Sequence, residues 1–228
     1  MKEKAVLLTC VAVLVAGVFI RPAAGGESGQ SGGKATMKAL PKAQTRGKMS
    51  VEEAIALRRS VRAFADKPLD EAQVAQLAWA AQGITDTRRR FRAAPSAGAL
   101  FPLEIYLVTA EGVSHYLPAE HKVEVVSERD LRRSLARAAL DQEFVAEAPL
   151  NIVITAVYER VTRKYGQRGV MYTHIEVGHA AQNVLLQAVG LGLGAVPVGA
   201  FDERAVSQIL GLPRAEVPLY IISVGYGR

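Results

Sequence analysis

Apolar and polar positions fall into three regimes along the 228-residue chain. From Ala5 to Ile20 apolar residues run almost unbroken, behind Lys2 and Lys4 and ahead of Ala23, Ala24, Gly25 and Gly26. A positive flank, a short apolar core and a small-residue exit make the pattern of a secretory signal, and the run is short for a membrane span. The expectation is a signal peptide or anchor over 1–26 and an exported protein, periplasmic or extracellular, that meets the membrane only if the leader stays uncleaved. From Gly25 to Lys48 the chain is Gly, Ser, Lys and Ala with little apolar content, which predicts a flexible linker over 27–48. From 49 to 228 apolar residues recur with helix and strand periods, which predicts one folded domain.

Within that domain Ser50-Val51-Glu52-Glu53 is a capping-box pattern. A helix is expected to start there and run through Leu57 into Arg58–Arg62, ending by Phe64 and Pro68. Asp70-x-x-Gln73 opens a second helix, with Gly83 at its end. Leu103 to Thr109, Val113 to Leu117, Val123 to Ser127, Asn151 to Val157 and Val217 to Val224 read as strands. Arg129 to Leu140 and Met171 to Val189 have helical spacing, and Asp202 caps a short helix to Leu210. Helices and short strands interleave without a repeating βαβ unit. That predicts an α+β sandwich around a mixed or antiparallel sheet.

Composition narrows the function classes. The formal net charge is +6, but Lys2, Lys4, Arg21, Lys34, Lys38, Lys42, Arg46 and Lys48 lie before the expected domain. No aromatic-rich basic patch or zinc spacing accompanies the charge, so nucleic acid is not an expected partner. The single cysteine, Cys10, is in the leader. The domain therefore has neither a disulfide framework nor a cysteine nucleophile, and redox chemistry in it needs a bound cofactor. His174 and His179 are five apart and fall on different helix faces, so no metal is expected. Gly190-x-Gly192-x-Gly194 follows a helix and reads as a stop and turn, because a dinucleotide loop needs a strand before it and a helix after it.

Two features look for partners. Arg58 and Arg62 would share one helix face, and two cations aimed at one place need an anion there. Arginine supplies charge and a fork of donors, which suits a phosphate. A cation beside the N1–C2=O edge of a flavin would also stabilise its reduced form. On the long helix Tyr172, Glu176, His179 and Asn183 make a polar stripe opposite Val177, Ala181, Val184, Leu185 and Ala188. That stripe faces either solvent, a dimer partner or a cofactor pocket.

Taken in order, several stretches are familiar. Arg58-Arg59-Ser60-Val61-Arg62 resembles the flavin-binding start of the nitroreductase family. Pro95-Ser96-Ala97-Gly98-Ala99-Leu100-Phe101-Pro102-Leu103-Glu104 with Tyr106 is similar to its SagB/ThcOx-type dehydrogenase branch. So are Lys164-Tyr165-Gly166-x-Arg168-Gly169, Glu176-x-x-Gly178-His179-x-x-Gln182-Asn183 and Gly199-Ala200-Phe201-Asp202. Typical nitroreductases carry an Asn where this chain has Ala99.

The resemblance implies an α+β flavoprotein, an obligate-type homodimer with FMN at its interface. It implies that the Arg58–Arg62 stretch, Arg59 included, binds FMN. Arg58 and Ser60 would contact its phosphate, ribityl or ring edge, and Arg62 would lie near the N1–O2 edge. Pro95, Ser96 and Ala97 would reach it from the partner subunit. Val198, Gly199 and Ala200 would approach N5 through backbone groups, and Arg228 would hold the phosphate. Lys164-Tyr165 is similar to the pair that removes protons in azoline-oxidising members. The expected function is an FMN-dependent dehydrogenase or oxidase acting on a small organic or peptide-derived substrate. The rivals are an NAD(P)H-dependent nitro or quinone reductase and a non-catalytic flavin-binding protein.

Overall fold

The computed structural model describes residues 36–228. The leader at 1–26 and linker residues 27–35 lie outside the described residues. The centre of the fold is a seven-stranded sheet, and every pairing within it is antiparallel. Its strands are β1 (Met37–Ala39), β4 (Leu103–Thr109), β5 (Gly112–Leu117), β6 (Lys122–Ser127), β7 (Leu150–Ala156), β8 (Gly194–Val198) and β9 (Val217–Gly225), in the spatial order β1-β6-β5-β4-β7-β9-β8. A separate hairpin pairs β2 (Ile84–Asp86) with β3 (Phe91–Arg92).

Helices cover both faces. Alternate side chains of a strand point to opposite faces. Leu103, Ile105 and Leu107 of β4 join Ile152 and Ile154 against α2 (Glu71–Gln82) and the 23-residue α6 (Arg168–Gly190). Tyr106, Val108, Val153 and Ile221 face α3 (Arg132–Ala138), α4 (Glu143–Glu147) and α7 (Glu203–Leu210). Central β7 is covered on both sides and all seven of its residues are buried. This explains why it reads as a largely apolar run, interrupted only by Asn151 and Thr155, rather than an alternation.

Both capping boxes form. The Ser50 hydroxyl accepts the Glu53 N–H at 3.1 Å, and Asp70 accepts that of Gln73 at 2.7 Å. Helix α1, however, is only Val51–Leu57, so the helix expected through Arg62 is corrected. Arg58 turns to φ −55°, ψ 122°. Ser60 then makes a parallel bridge to Ala195, and the Val61 N–H donates to the Ala195 carbonyl at 3.1 Å. Leaving the helix lets Val61 pack beside Phe64, which is fully buried with Ala148 and Val196. It also covers part of the open edge of β8, where unpaired backbone groups would otherwise be exposed.

The expectation of a flexible linker is also corrected for residues 36–48. Met37–Ala39 pairs with β6 at the other sheet edge. Downstream, Gln44 and Gln76 exchange two hydrogen bonds at 2.7 and 3.1 Å, and a His121 ring nitrogen meets the Pro41 carbonyl at 2.8 Å. Backbone pairing holds this stretch, which is why low hydrophobicity misread it. Among the described residues no helix is long and apolar enough to cross a membrane, and no cluster of metal-ligating side chains occurs.

Candidate active site

The predicted site residues gather into two groups. The first lies along β8 and the C-terminus. In an extended segment alternate residues share a side, so Arg58 and Arg62 stay on one side although the helix expected to align them ends at Leu57, and Ser60 now lies between them. Val61 points the other way, over Gly194. A Cβ on Gly194 would come within 2.7 Å of the Val61 Cβ, so only glycine lets the arginine segment lie this close to β8. Arg228 joins the group through its N–H, which donates to the Ala63 carbonyl at 3.1 Å. Among the described residues none of Arg58, Arg62 and Arg228 has a carboxylate partner.

Arg59 has a different occupation. Its guanidinium folds back on the carbonyls of Ala56 and Arg58 at 2.9 and 2.8 Å, where it closes the end of α1. Val198 is the buried last residue of β8, and the exposed Gly199 and Ala200 follow it. Gln142 donates to the Ala200 carbonyl at 3.1 Å.

The second group is built on the loop after β3. Ser96 caps a 3₁₀ turn over Ala97–Ala99. Its hydroxyl accepts the Phe101 N–H at 2.9 Å, closing the loop on itself. Gly98, Ala99 and Phe101 all have positive φ, at 63°, 53° and 46°. Conformations of this kind persist only where surrounding contacts enforce them. Against Gly98 sits the end of α5 (Glu159–Tyr165). A Cβ there would meet the Tyr165 hydroxyl at 2.7 Å and the Lys164 Nζ at 3.1 Å. The Tyr165 ring stands edge-on to Tyr172 of α6 with centroids 5.3 Å apart. The loop that carries Pro95, Ser96 and Ala97 and the Lys164–Tyr165 pair, distant in sequence, thus meet at Gly98. Among the described residues no hydrogen bond or ion pair links this group to the arginine group.

Beneath the loop lies a charged layer that sequence reasoning left without a role. Glu176 of α6 is 2% exposed, and neither carboxylate oxygen has a hydrogen-bond partner among the described residues. Burial pushes its pKa up to about 7, against the pull of the nearby Ser96 hydroxyl, Arg92 guanidinium and Gln82 amide. The Arg92 guanidinium donates to Gln82 at 2.9 Å and stacks over the Phe101 ring at 4.6 Å. Burial lowers its pKa, although Glu104 and Glu176 oppose the shift.

Glu104 of β4 pairs with Arg160 at 2.5 Å and with His115 of β5 at 2.9 Å. Burial alone would raise the Glu104 pKa. The His115 hydrogen bond and the Arg160 charge outweigh it and hold the carboxyl below its ordinary range. The available signal was Glu104 itself, a charge inside an otherwise apolar strand. The polar stripe does not act as a unit: Glu176 is buried, His179 is exposed, and Asn183 donates to the Ala93 carbonyl at 3.2 Å.

The sequence profile of the nitroreductase family matches residues 55–226, which take in the loop group and all of the arginine group but Arg228. The chain belongs to the nitroreductase family. Members of the family are flavin oxidoreductases, and the fold is the nitroreductase fold. MJ1384 of Methanocaldococcus jannaschii, named as a nitroreductase, is 44% identical over 183 residues, 78% of this chain and 91% of its own. The microcin B17-processing protein McbC of Escherichia coli is 28% identical over 141 residues, 56% of this chain and 51% of its own. The crystal structure of a protein named as a nitroreductase from Ralstonia eutropha JMP134 superposes with a TM-score of 0.76 at 28% identity, covering 94% of this chain and 97% of the other.

The arginine group of this nitroreductase suits a flavin bearing a phosphate. It offers guanidinium and hydroxyl donors that no side-chain carboxylate of the described residues pairs with, on backbone kept close to the sheet by a glycine.

Proposed function

We propose that the chain is an FMN-dependent dehydrogenase or oxidase of the SagB/ThcOx type, acting on a small organic or peptide-derived substrate. The observation that carries the dehydrogenase reading is Lys164 and Tyr165 at the end of α5, packed against Gly98 of the loop that carries Ser96. A dehydrogenation has a proton to remove, and a lysine and a phenol at that position are groups that can take it. When bound, FMN supplies a two-electron acceptor at N5.

The residues divide the remaining work. Arg58, Ser60 and Arg228 hold the phosphate and ribityl chain. Arg62 would supply positive charge for the flavin edge where charge gathers on reduction. Val198, Gly199 and Ala200 would meet the ring with backbone groups. Lys164 or Tyr165 takes the proton that leaves the substrate as its hydride departs. Arg59 is assigned to the helix end rather than to the cofactor.

The two groups meet, in this reading, across a homodimer, with Pro95, Ser96 and Ala97 of one subunit facing the arginines of the other. Exposed apolar side chains on two helices support it. Val51, Ile55 and Leu57 of α1 and Met171 and Ile175 of the adjoining α6 are large apolar side chains left exposed, and such patches mark association sites. The leader over 1–26 further suggests export, away from cytoplasmic NAD(P)H, with oxygen or a quinone as the final acceptor. Homology to McbC, the microcin B17-processing protein, is consistent with a peptide-derived substrate.

Anaerobic reduction of the purified flavoprotein tests the reading. Bleaching by a substrate-containing extract but not by NADPH is expected. Rapid bleaching by NADPH would favour the nitro or quinone reductase instead, and bleaching by neither would favour a flavin-binding protein without catalysis.

A further inference from the structure

Glu104, Arg160 and His115 form a cluster outside the residues given roles above, and its connections lead to Lys164. Arg160 and Lys164 are one turn apart on α5 and share a face. Both ends of that face touch the loop that carries Ser96. Arg160 donates to the Phe101 carbonyl at 3.0 Å, and Lys164 Nζ reaches the position a Gly98 Cβ would occupy, at 3.1 Å. The second nitrogen of the Arg160 fork is fixed by Glu104 at 2.5 Å.

Glu104 is in turn fixed by His115 at 2.9 Å, and His115 stacks on Tyr106 with ring centroids 4.8 Å apart. The Tyr106 hydroxyl donates to Glu216 at 3.0 Å. A continuous path therefore runs from the sheet through two charged side chains to the loop and to α5. Of its members Arg160 is the most exposed, at 40%, while Glu104 and His115 are 15% and 18% exposed. Arg92, on the other side of the Phe101 ring, closes the layer.

We propose that Glu104 and Arg160 are positioning residues for Lys164. Together they bind α5 to the positive-φ loop as one unit, so that the Lys164 ammonium stays on the Gly98 side of the site. Neither residue touches the substrate or the cofactor. A neutral amide at position 104 keeps the shape but gives up the charge that grips the guanidinium. A lysine at position 160 keeps the charge but cannot bridge Glu104 and the Phe101 carbonyl with one planar fork. The proposal rests on the assignment of Lys164 to the site, but not on Lys164 doing proton work.

The test is the rate at which acetic anhydride labels Lys164 in the flavin-loaded protein, read by peptide mass spectrometry against Lys122 as internal reference. In Glu104→Gln and Arg160→Ala the Lys164 rate should change by roughly threefold or more, with Lys122 and flavin content unchanged. Arg160→Lys should fall between wild type and Arg160→Ala. If Arg160→Ala does not fold, Glu104→Gln and Arg160→Lys decide alone. Wild-type labelling of Lys164 in folded Glu104→Gln would overturn the proposal. Full turnover in Lys164→Ala would instead remove Lys164 from the chemistry and leave its positioning standing.

Discussion

At the scale of single residues, two side-chain environments make definite demands. Glu176 holds its proton more tightly folded than unfolded, with a folded pKa of about 7 against an ordinary 4.5. A carboxyl raised in this way contributes fully below its unfolded pKa. Its contribution is lost as pH rises through the folded value, because the native state must then carry a buried charge. The window is therefore from about pH 4.5 to about pH 7. Across it, Glu176→Gln should gain stability relative to wild type by up to about 3 kcal/mol. Urea denaturation on either side of the window checks this, and equal shifts at both pH values would contradict the assignment. Gly98 combines φ +63° with contact to both members of the Lys164–Tyr165 pair. Gly98→Ala costs about 1–2 kcal/mol from its backbone conformation alone. It should also displace the Tyr165 hydroxyl, lowering turnover well beyond the loss in thermal stability.

At the scale of elements, the caps, α2, α7 and five strands of the main sheet were legible, because each is encoded by local chemistry or a clean period. What was not legible depends on distant partners. Residues 58–64 have a helical pattern, yet Val61 and Phe64 gain more by burying beside Val196 and Ala148. Arg58 and Arg62 share a side in either form, since positions four apart do so in extended backbone as in a helix, whereas Ser60 joins that side only in the extended form. β8 was hidden in the glycine run, since Gly194 is required by Val61 crossing over it. β1 was hidden because its stabilisation is almost wholly backbone pairing. Gly194→Val should therefore lift the arginine segment away from β8. The expected outcome is protein with native far-UV circular dichroism that has lost most of its flavin, measured as the flavin-to-protein absorbance ratio.

At the scale of the molecule, the two half-sites and the exposed apolar surface of α1 and α6 belong to one account. In the proposed dimer each subunit would contribute an arginine group and a loop group, and association would bring one of each to a shared pocket. Ile55→Arg places a charge among the exposed apolar side chains of α1. It should convert dimer to monomer by light scattering and lose flavin in parallel, although Ile55 lies outside both site groups. The family and the overall architecture were readable in the order of the motifs. The charged layer under the loop was not, because Arg92, Gln82, Glu104, Arg160 and Glu176 come from five elements and only the fold assembles them. The claim on which everything else depends is that Arg58, Ser60, Arg62 and Arg228 hold FMN. Its most direct test is the absorption spectrum of the purified protein after incubation with FMN, together with the identity of the cofactor released on denaturation. The account predicts a yellow protein that releases about one FMN per chain, the count set by two equivalent sites in a symmetric dimer, with strong loss in Arg58→Ala and Arg62→Ala. A colourless protein that takes up no FMN would contradict it.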